Sequence, residues 1–216
     1  MKEFEVDPAF VIADEEALRS LFKPTHPLAA QKVLDSLDKH AQAFIARSPF
    51  LCLGTQGADG RADVSPRGDP PGFVRILDPR TLAIPDRPGN NRLDSLANIV
   101  ANPNVGLLFI VPGYDDTLRV NGEARLVTDP DILEGMAVGE RRPTLAIVVR
   151  VREVFLHCAK AFRRSRLWNP DSFQDRSEMP SLSKIILDQT TGAPEDDASQ
   201  RKLDDELEEE YRKTLY

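Results

Sequence analysis

The chain has 216 residues, 41% hydrophobic and 29% charged, with a formal net charge of −7. That is the content of one domain whose core carries polar extensions. The acidity argues against whole-surface binding to nucleic acid or anionic membrane, but leaves room for a local basic site.

No apolar run approaches a membrane span, and "MKEFEVDPAF" lacks the basic-then-apolar layout of a signal peptide, so a cytoplasmic protein is expected. Two cysteines, Cys52 and Cys158, and three scattered histidines offer little for a disulfide framework or a metal.

Taken in chain order, residues 1–49 read as a helical extension. "ADEEALRSLF" carries acids in its first turn, where the helix dipole favours them. After Pro27, one helix is expected through "LAAQKVLDSLDKHAQAFIARS", with Leu34, Leu37, Ala41, Phe44 and Ile45 on one face. From Phe50 the period changes to that of strands. "FLCLGT", "GFVRIL", "TLAIP", "VGLLFIV", "TLRVNGEARLV" and "TLAIVVRVREVFLH" are about six strands with tight turns, the pattern of a barrel or sandwich. "NRLDSLANIVAN" and "DPDILEGMAV" are short helices among them. Beyond His157, "CAKAFRRSRLW" is helical, and residues 171–216 read as a loop followed by an acidic, solvated helix.

Positive charge collects in the strand-rich part. Arg141, Arg142, Arg150, Arg152, Lys160, Arg163, Arg164 and Arg166 share a stretch in which Glu153 is the only acid. Arg67, Arg87, Arg92 and Arg119 precede them. Aromatic content of 6% is low for a nucleic-acid platform, so a small anion is the expected ligand.

"GNNRLD" suits that anion: Asn90 or Asn91 as a helix cap with Asp94 at a capping-box-like spacing, free N–H groups at the helix start, and Arg92 adding a fork of donors. Gly89 permits close backbone approach. A capped helix with a surface arginine is the plain alternative. In "DVSPRGDPPG" the alternation of a strand is expected to break at Ser65-Pro66, at a sheet edge or bulge that aims Arg67 into a site. Nucleotide-binding GxGxxG and GxxxxGK[ST] patterns and the hydrolase GxSxG are absent.

The stretches "DVSPRGDPPGFV", "IPDRPGNNRLDSLANI", "LLFIVPGYDDTLRVNGEA" and "HCAKAFRRSRLWNP" occur in that order between Phe50 and Pro170. With these four motifs the chain resembles the pyridoxamine 5′-phosphate oxidase-related, FMN-binding split-barrel proteins. The resemblance implies a mainly β protein with flanking helices, built on a six-stranded antiparallel split barrel over residues 50–170. It implies a homodimer with FMN at the subunit interface. Ser65, Arg67 and Gly68 would line the flavin and its phosphate, Arg92 would grip the phosphate, and Arg87, Asn90 and Asn91 would lie beside it. Thr117 and Arg119 would pass the isoalloxazine ring. Lys160, Arg164, Ser165 and Trp168 would reach the flavin from the other subunit, and Arg119 or Lys160 would favour reduced, anionic flavin. The implied activity is that of an FMN-dependent oxidoreductase acting on a small molecule. A flavin-storage protein, or a deazaflavin or haem binder on the same barrel, are the alternatives. The family's C-terminal arginine- and histidine-containing motif for substrate phosphate has no counterpart in this acidic C-terminus, so a substrate other than pyridoxamine phosphate is expected.

Overall fold

In the computed structural model, which describes residues 6–216, the chain divides after Val33 into two units. The first holds two short helices, α1 (Glu15–Ser20) and α2 (Pro27–Gln31). The Asp14 carboxylate caps α1 by accepting the Ala17 N–H at 2.8 Å, and Pro27 opens α2 at a position where its missing N–H is harmless. None of residues 6–33 is buried.

The second unit runs from Leu34. The single helix expected from Leu28 to Ser48 is interrupted, and its second part, α3, covers Lys39–Ile45 alone. Between the two, Leu34 exchanges backbone hydrogen bonds with Val154 at 3.0 and 2.8 Å, which requires extended rather than helical backbone. Asp38 then starts α3 afresh, accepting the N–H groups of His40 and Ala41. Leu34 stays exposed, while Leu37, Ala41, Phe44 and Ile45 enter the main core. The second unit thus holds α3 together with the strands that follow.

Seven strands follow where about six were expected: β1 (Phe50–Gln56), β2 (Ala62–Gly68), β3 (Arg75–Asp78), β4 (Thr81–Pro85), β5 (Asn104–Ile110), β6 (Thr117–Val127) and β7 (Ala146–His157). The additional one is β2, which runs through Ser65-Pro66 instead of breaking there. It can do so because it is an edge strand, where proline's missing N–H costs no ladder bond. All pairings are antiparallel, in the order β2-β1-β5-β6-β7-β4-β3.

The sheet is rolled. β2 and β4 stand five places apart in that order, about 24 Å in a flat sheet at about 4.8 Å per strand. Yet Arg67 on β2 and Asp86, one residue past β4, form an ion pair of 2.9 Å. Rolling gathers Leu51, Leu53, Leu82, Ile84, Leu107, Phe109, Val120 and Val149 into one cluster of almost wholly buried side chains. Each contributes about 1.5–3 kcal/mol by leaving water.

Five helices complete the second unit after the first strands: α4 (Asp94–Ala101) against β1 and β6, α5 (Pro130–Glu134), α6 (Lys160–Ser165), α7 (Leu182–Gln189) and α8 (Asp197–Thr214). α7 and α8 pack on each other, joined by Gln200 Nε2 donating to Ser183 Oγ at 2.7 Å. Among the described residues no helix is long and apolar enough to cross a membrane.

Candidate functional site

The two unusual stretches of the sequence, one around Arg67 and one around Arg92, form opposite walls of a single cleft of about 650 Å³. That volume is in the range of small-molecule sites. One wall is β2, whose alternation turns Asp63, Ser65 and Arg67 to one side while Val64 stays exposed on the other. The opposite wall is the segment leaving β4, from Pro85 to Leu93, with the first turn of α4, Asp94 to Leu96. Phe73 and Thr144 close the remaining sides.

A hydrogen-bonded group fixes α4 against β1 and β2. Asp63 Oδ2 accepts from Ser95 Oγ at 2.7 Å and from Thr55 Oγ1 at 3.2 Å, and Asn98 Nδ2 donates to Thr55 Oγ1 at 3.1 Å. Thr55 and Ser95 are both buried, so their hydroxyls depend on these partners.

The cleft's three arginines are each matched by an acid. Arg67 Nη1 meets Asp86 at 2.9 Å, with both side chains about four-fifths buried, while its Nε is buried without a partner. Arg87 Nε donates to Asp69 Oδ2 at 2.7 Å and its Nη2 to the Met136 carbonyl at 3.0 Å, while Nη1 makes no hydrogen bond among the described residues. Arg92 pairs with Asp94 at 2.8 Å, but on the surface, with 73% of its side chain exposed. Such an exposed pair is worth at most about 1 kcal/mol, so Arg92 is free to exchange Asp94 for a bound anion.

The helix start differs from expectation. Asn90 Oδ1 accepts the Arg92 N–H, and neither Asn90 nor Asn91 caps α4. The N-cap is Leu93, in the left-handed region at φ 60°, two residues after Asn91 at φ 56°. A leucine held there costs about 1–2 kcal/mol. In return, no side chain among the described residues makes a capping hydrogen bond to α4, and the residues carrying its first N–H groups line the cleft. An uncapped helix start, Arg92 beside it and the unpartnered Arg67 Nε together make a place for an anion. Backbone strain of this kind clusters at binding and catalytic sites.

Of the residues singled out in the sequence, Ser65, Arg67, Gly68, Arg87, Asn90, Asn91 and Arg92 all line this cleft. Thr117, Arg119, Lys160, Arg164, Ser165 and Trp168 do not. Thr117 is buried at the start of β6, paired with His157. Arg119 projects from the outer side of β6, its guanidinium 5.1 Å from the centre of the Phe155 ring. Lys160, Arg164 and Ser165 belong to α6, where Ser165 Oγ donates to the Phe162 carbonyl. Trp168 Nε1 donates to the Tyr114 carbonyl at 2.8 Å, and its ring lies 5.8 Å from that of Phe162. Asp63, Asp69, Asp86 and Tyr216 are the residues that sequence reasoning overlooked. For Asp69 and Asp86 the available signal was an acid within two residues of an arginine, in "RGD" and "DR", whereas Tyr216 gave none.

A family model for pyridoxamine 5′-phosphate oxidase matches residues 37–158, more than half of the chain. Among curated proteins nothing matches. Three solved structures illustrate the distant likenesses. HupZ from Group A Streptococcus has 18% identity over 56% of this chain and 93% of its own, with a TM-score of 0.46. An FMN-binding protein from Syntrophomonas wolfei has 10% identity over 54% and 88%, at 0.41. General stress protein 26 from Bacillus anthracis has 14% over 53% and 88%, also at 0.41.

Proposed function

The chain belongs to the pyridoxamine 5′-phosphate oxidase family, and from that premise we propose that it is an FMN-binding oxidoreductase with a substrate other than pyridoxamine phosphate. The observation that carries the reading is the uncapped, strained start of α4 with Arg92 beside it and Arg67 Nε facing no partner. These donors fit a phosphate monoester. Arg92 leaves Asp94 to grip it, the first-turn N–H groups of α4 receive its oxygens, and Arg67 and Nη1 of Arg87 supply further donors. Arg67 and Arg87 keep their acids, so they orient an anion more than they attract it. Ser65, Gly68, Asn90 and Asn91 offer polar and backbone contacts beside the phosphate.

Bound in such a cleft, a flavin supplies hydride or single-electron transfer, and the protein's part is to orient it and to set the charge around it. The second set of residues, Lys160, Arg164, Ser165 and Trp168, is placed away from its own cleft, and a homodimer with FMN at the subunit interface would give it a role in the partner's site. Arg119, exposed on the sheet, is available for the same task. The two free thiols, Cys52 and Cys158, accord with a cytoplasmic protein.

Titrating the purified protein with FMN, with visible absorption and fluorescence as readouts, tests this directly. Arg92→Ala is expected to lose about 1.5–3 kcal/mol of flavin binding with its thermal stability unchanged. A folded wild type that takes up no FMN overturns the reading. Oxidation of NADH or NADPH by the loaded protein separates an enzyme from a storage protein.

A further inference from the structure

Arg87 comes to the cleft already held from behind. Its Nε donates to Asp69 Oδ2 at 2.7 Å and its Nη2 to the Met136 carbonyl at 3.0 Å. The ring of Tyr216 lies over the same guanidinium, 5.5 Å from carbon to ring centroid. The Tyr216 hydroxyl then donates to Asp69 Oδ1, the other oxygen of that carboxylate, at 2.7 Å. Asp69 is a buried bridge between the two, its side chain 2% exposed against 17% for Arg87. Its own position is set where β2 ends, by its N–H donating to the Pro49 carbonyl at 3.0 Å.

Every contact just described approaches Arg87 from outside the cleft. Both N–H groups of Nη1 and the second of Nη2 make no hydrogen bond among the described residues, and Arg87 lines the cleft. Tyr216 is delivered by α8, the 18-residue acidic helix whose single buried residue is Gln200, in its first turns. At the other end of α8, Tyr216 is secured twice, through its hydroxyl to Asp69 and through its carbonyl, which accepts from Arg141 Nη1. The acidic helix thus ends at the back of an anion-binding arginine.

We propose that Asp69 and Tyr216 are positioning residues for this cleft: the end of α8 is a latch that presents Arg87 to a bound phosphate ester, so that ligand occupancy and latch closure strengthen each other. This rests on the flavin reading above. An arginine already held by three contacts has little freedom left to lose when its remaining N–H groups meet an anion. With the latch open the guanidinium regains that freedom, and affinity falls. Because coupling is reciprocal, an anion that fixes Arg87 must in turn hold the tail closed.

The test uses the full chain as wild type, Tyr216→Phe and Tyr216→Ala. FMN affinity is read by fluorescence titration, and hydrogen exchange over residues 205–214 is followed with and without saturating FMN. Tyr216→Ala is expected to weaken FMN about tenfold, the worth of one charge-assisted contact. Tyr216→Phe keeps the ring over Arg87 and should fall between the two. In the wild type, FMN should slow exchange in the last turns of α8, and in Tyr216→Ala it should not. A merely structural tail would lower stability without this ligand-dependent protection. Equal FMN affinity in wild type and a folded Tyr216→Ala, or tail exchange indifferent to FMN in the wild type, overturns the latch and leaves the flavin reading standing. A wild type that binds no FMN overturns both.

Discussion

At the scale of single residues, backbone geometry and not chemistry sets the tightest demands. Gly122 sits at the irregularity where β6 passes β7, and a Cβ on it would lie 2.2 Å from the Arg150 carbonyl oxygen. Backbone cannot yield by that much, so Gly122→Ala is expected to destabilise the protein by at least about 3 kcal/mol, visible as a lower urea midpoint. Leu93 is the opposite case, a side chain kept where glycine would be easier. Its strained φ is what ends the loop without a capping side chain and keeps the start of α4 open. The charges of the cleft follow the same economy: Arg67, Arg87 and Arg92 were legible as basic residues near a turn, but their acids decide what each can do. Arg92, paired at the surface, is exchangeable; Arg67 and Arg87, paired inside, are fixed.

Among elements, those with a strong period were legible and those shaped by long-range pairing were not. The alternation of β5, β6 and β7 and the apolar face of α3 were readable because burial on one side leaves its period in the sequence. The break between α2 and α3 was hidden, because Leu34 leaves the helix to pair with Val154, a residue 120 positions away. Likewise "SPRG" reads as a break, and only its place at the sheet edge lets β2 continue through it. The start of the acidic α8 shows local chemistry at work. Asp196 caps it by accepting the Ser199 N–H at 2.8 Å, and this bond, followed by one from the Ser199 hydroxyl, lowers the Asp196 pKa below its ordinary 3.8. A lowered folded-state pKa contributes stability above the ordinary value, which is lost as pH falls through the folded one. α8 is therefore expected to fray in acid below about pH 4, earlier than the barrel, as hydrogen exchange or circular dichroism would show.

For the whole molecule, the rolled sheet is the main event. It joins β2 to the exit of β4 through Arg67 and Asp86 and so creates the cleft from residues that are 19 positions apart in the chain. One chain makes one half of the residue set that the resemblance assigns to the flavin; the other half is mounted around α6 and the outer side of β6. If the protein is the proposed homodimer, light scattering on the eluting protein should give twice the chain mass, and variants in α6 such as Arg164→Ala should weaken flavin binding without touching the cleft's own walls. A monomer with full flavin affinity would remove Lys160, Arg164, Ser165 and Trp168 from the site.

By itself the sequence determined the class of fold, most of the helices and strands of the body, and the two segments that face each other across the cleft. These are local properties, set by hydrophobic period, by proline and glycine, and by where arginines cluster. Tertiary structure alone decided which acid each arginine meets, that α4 begins uncapped behind a left-handed leucine, and that Tyr216 at the far end of the chain reaches Arg87. The physical reason is that ion pairing, burial and strain depend on distance in space, and rolling the sheet brings together residues whose separation along the chain carries no trace of their contact.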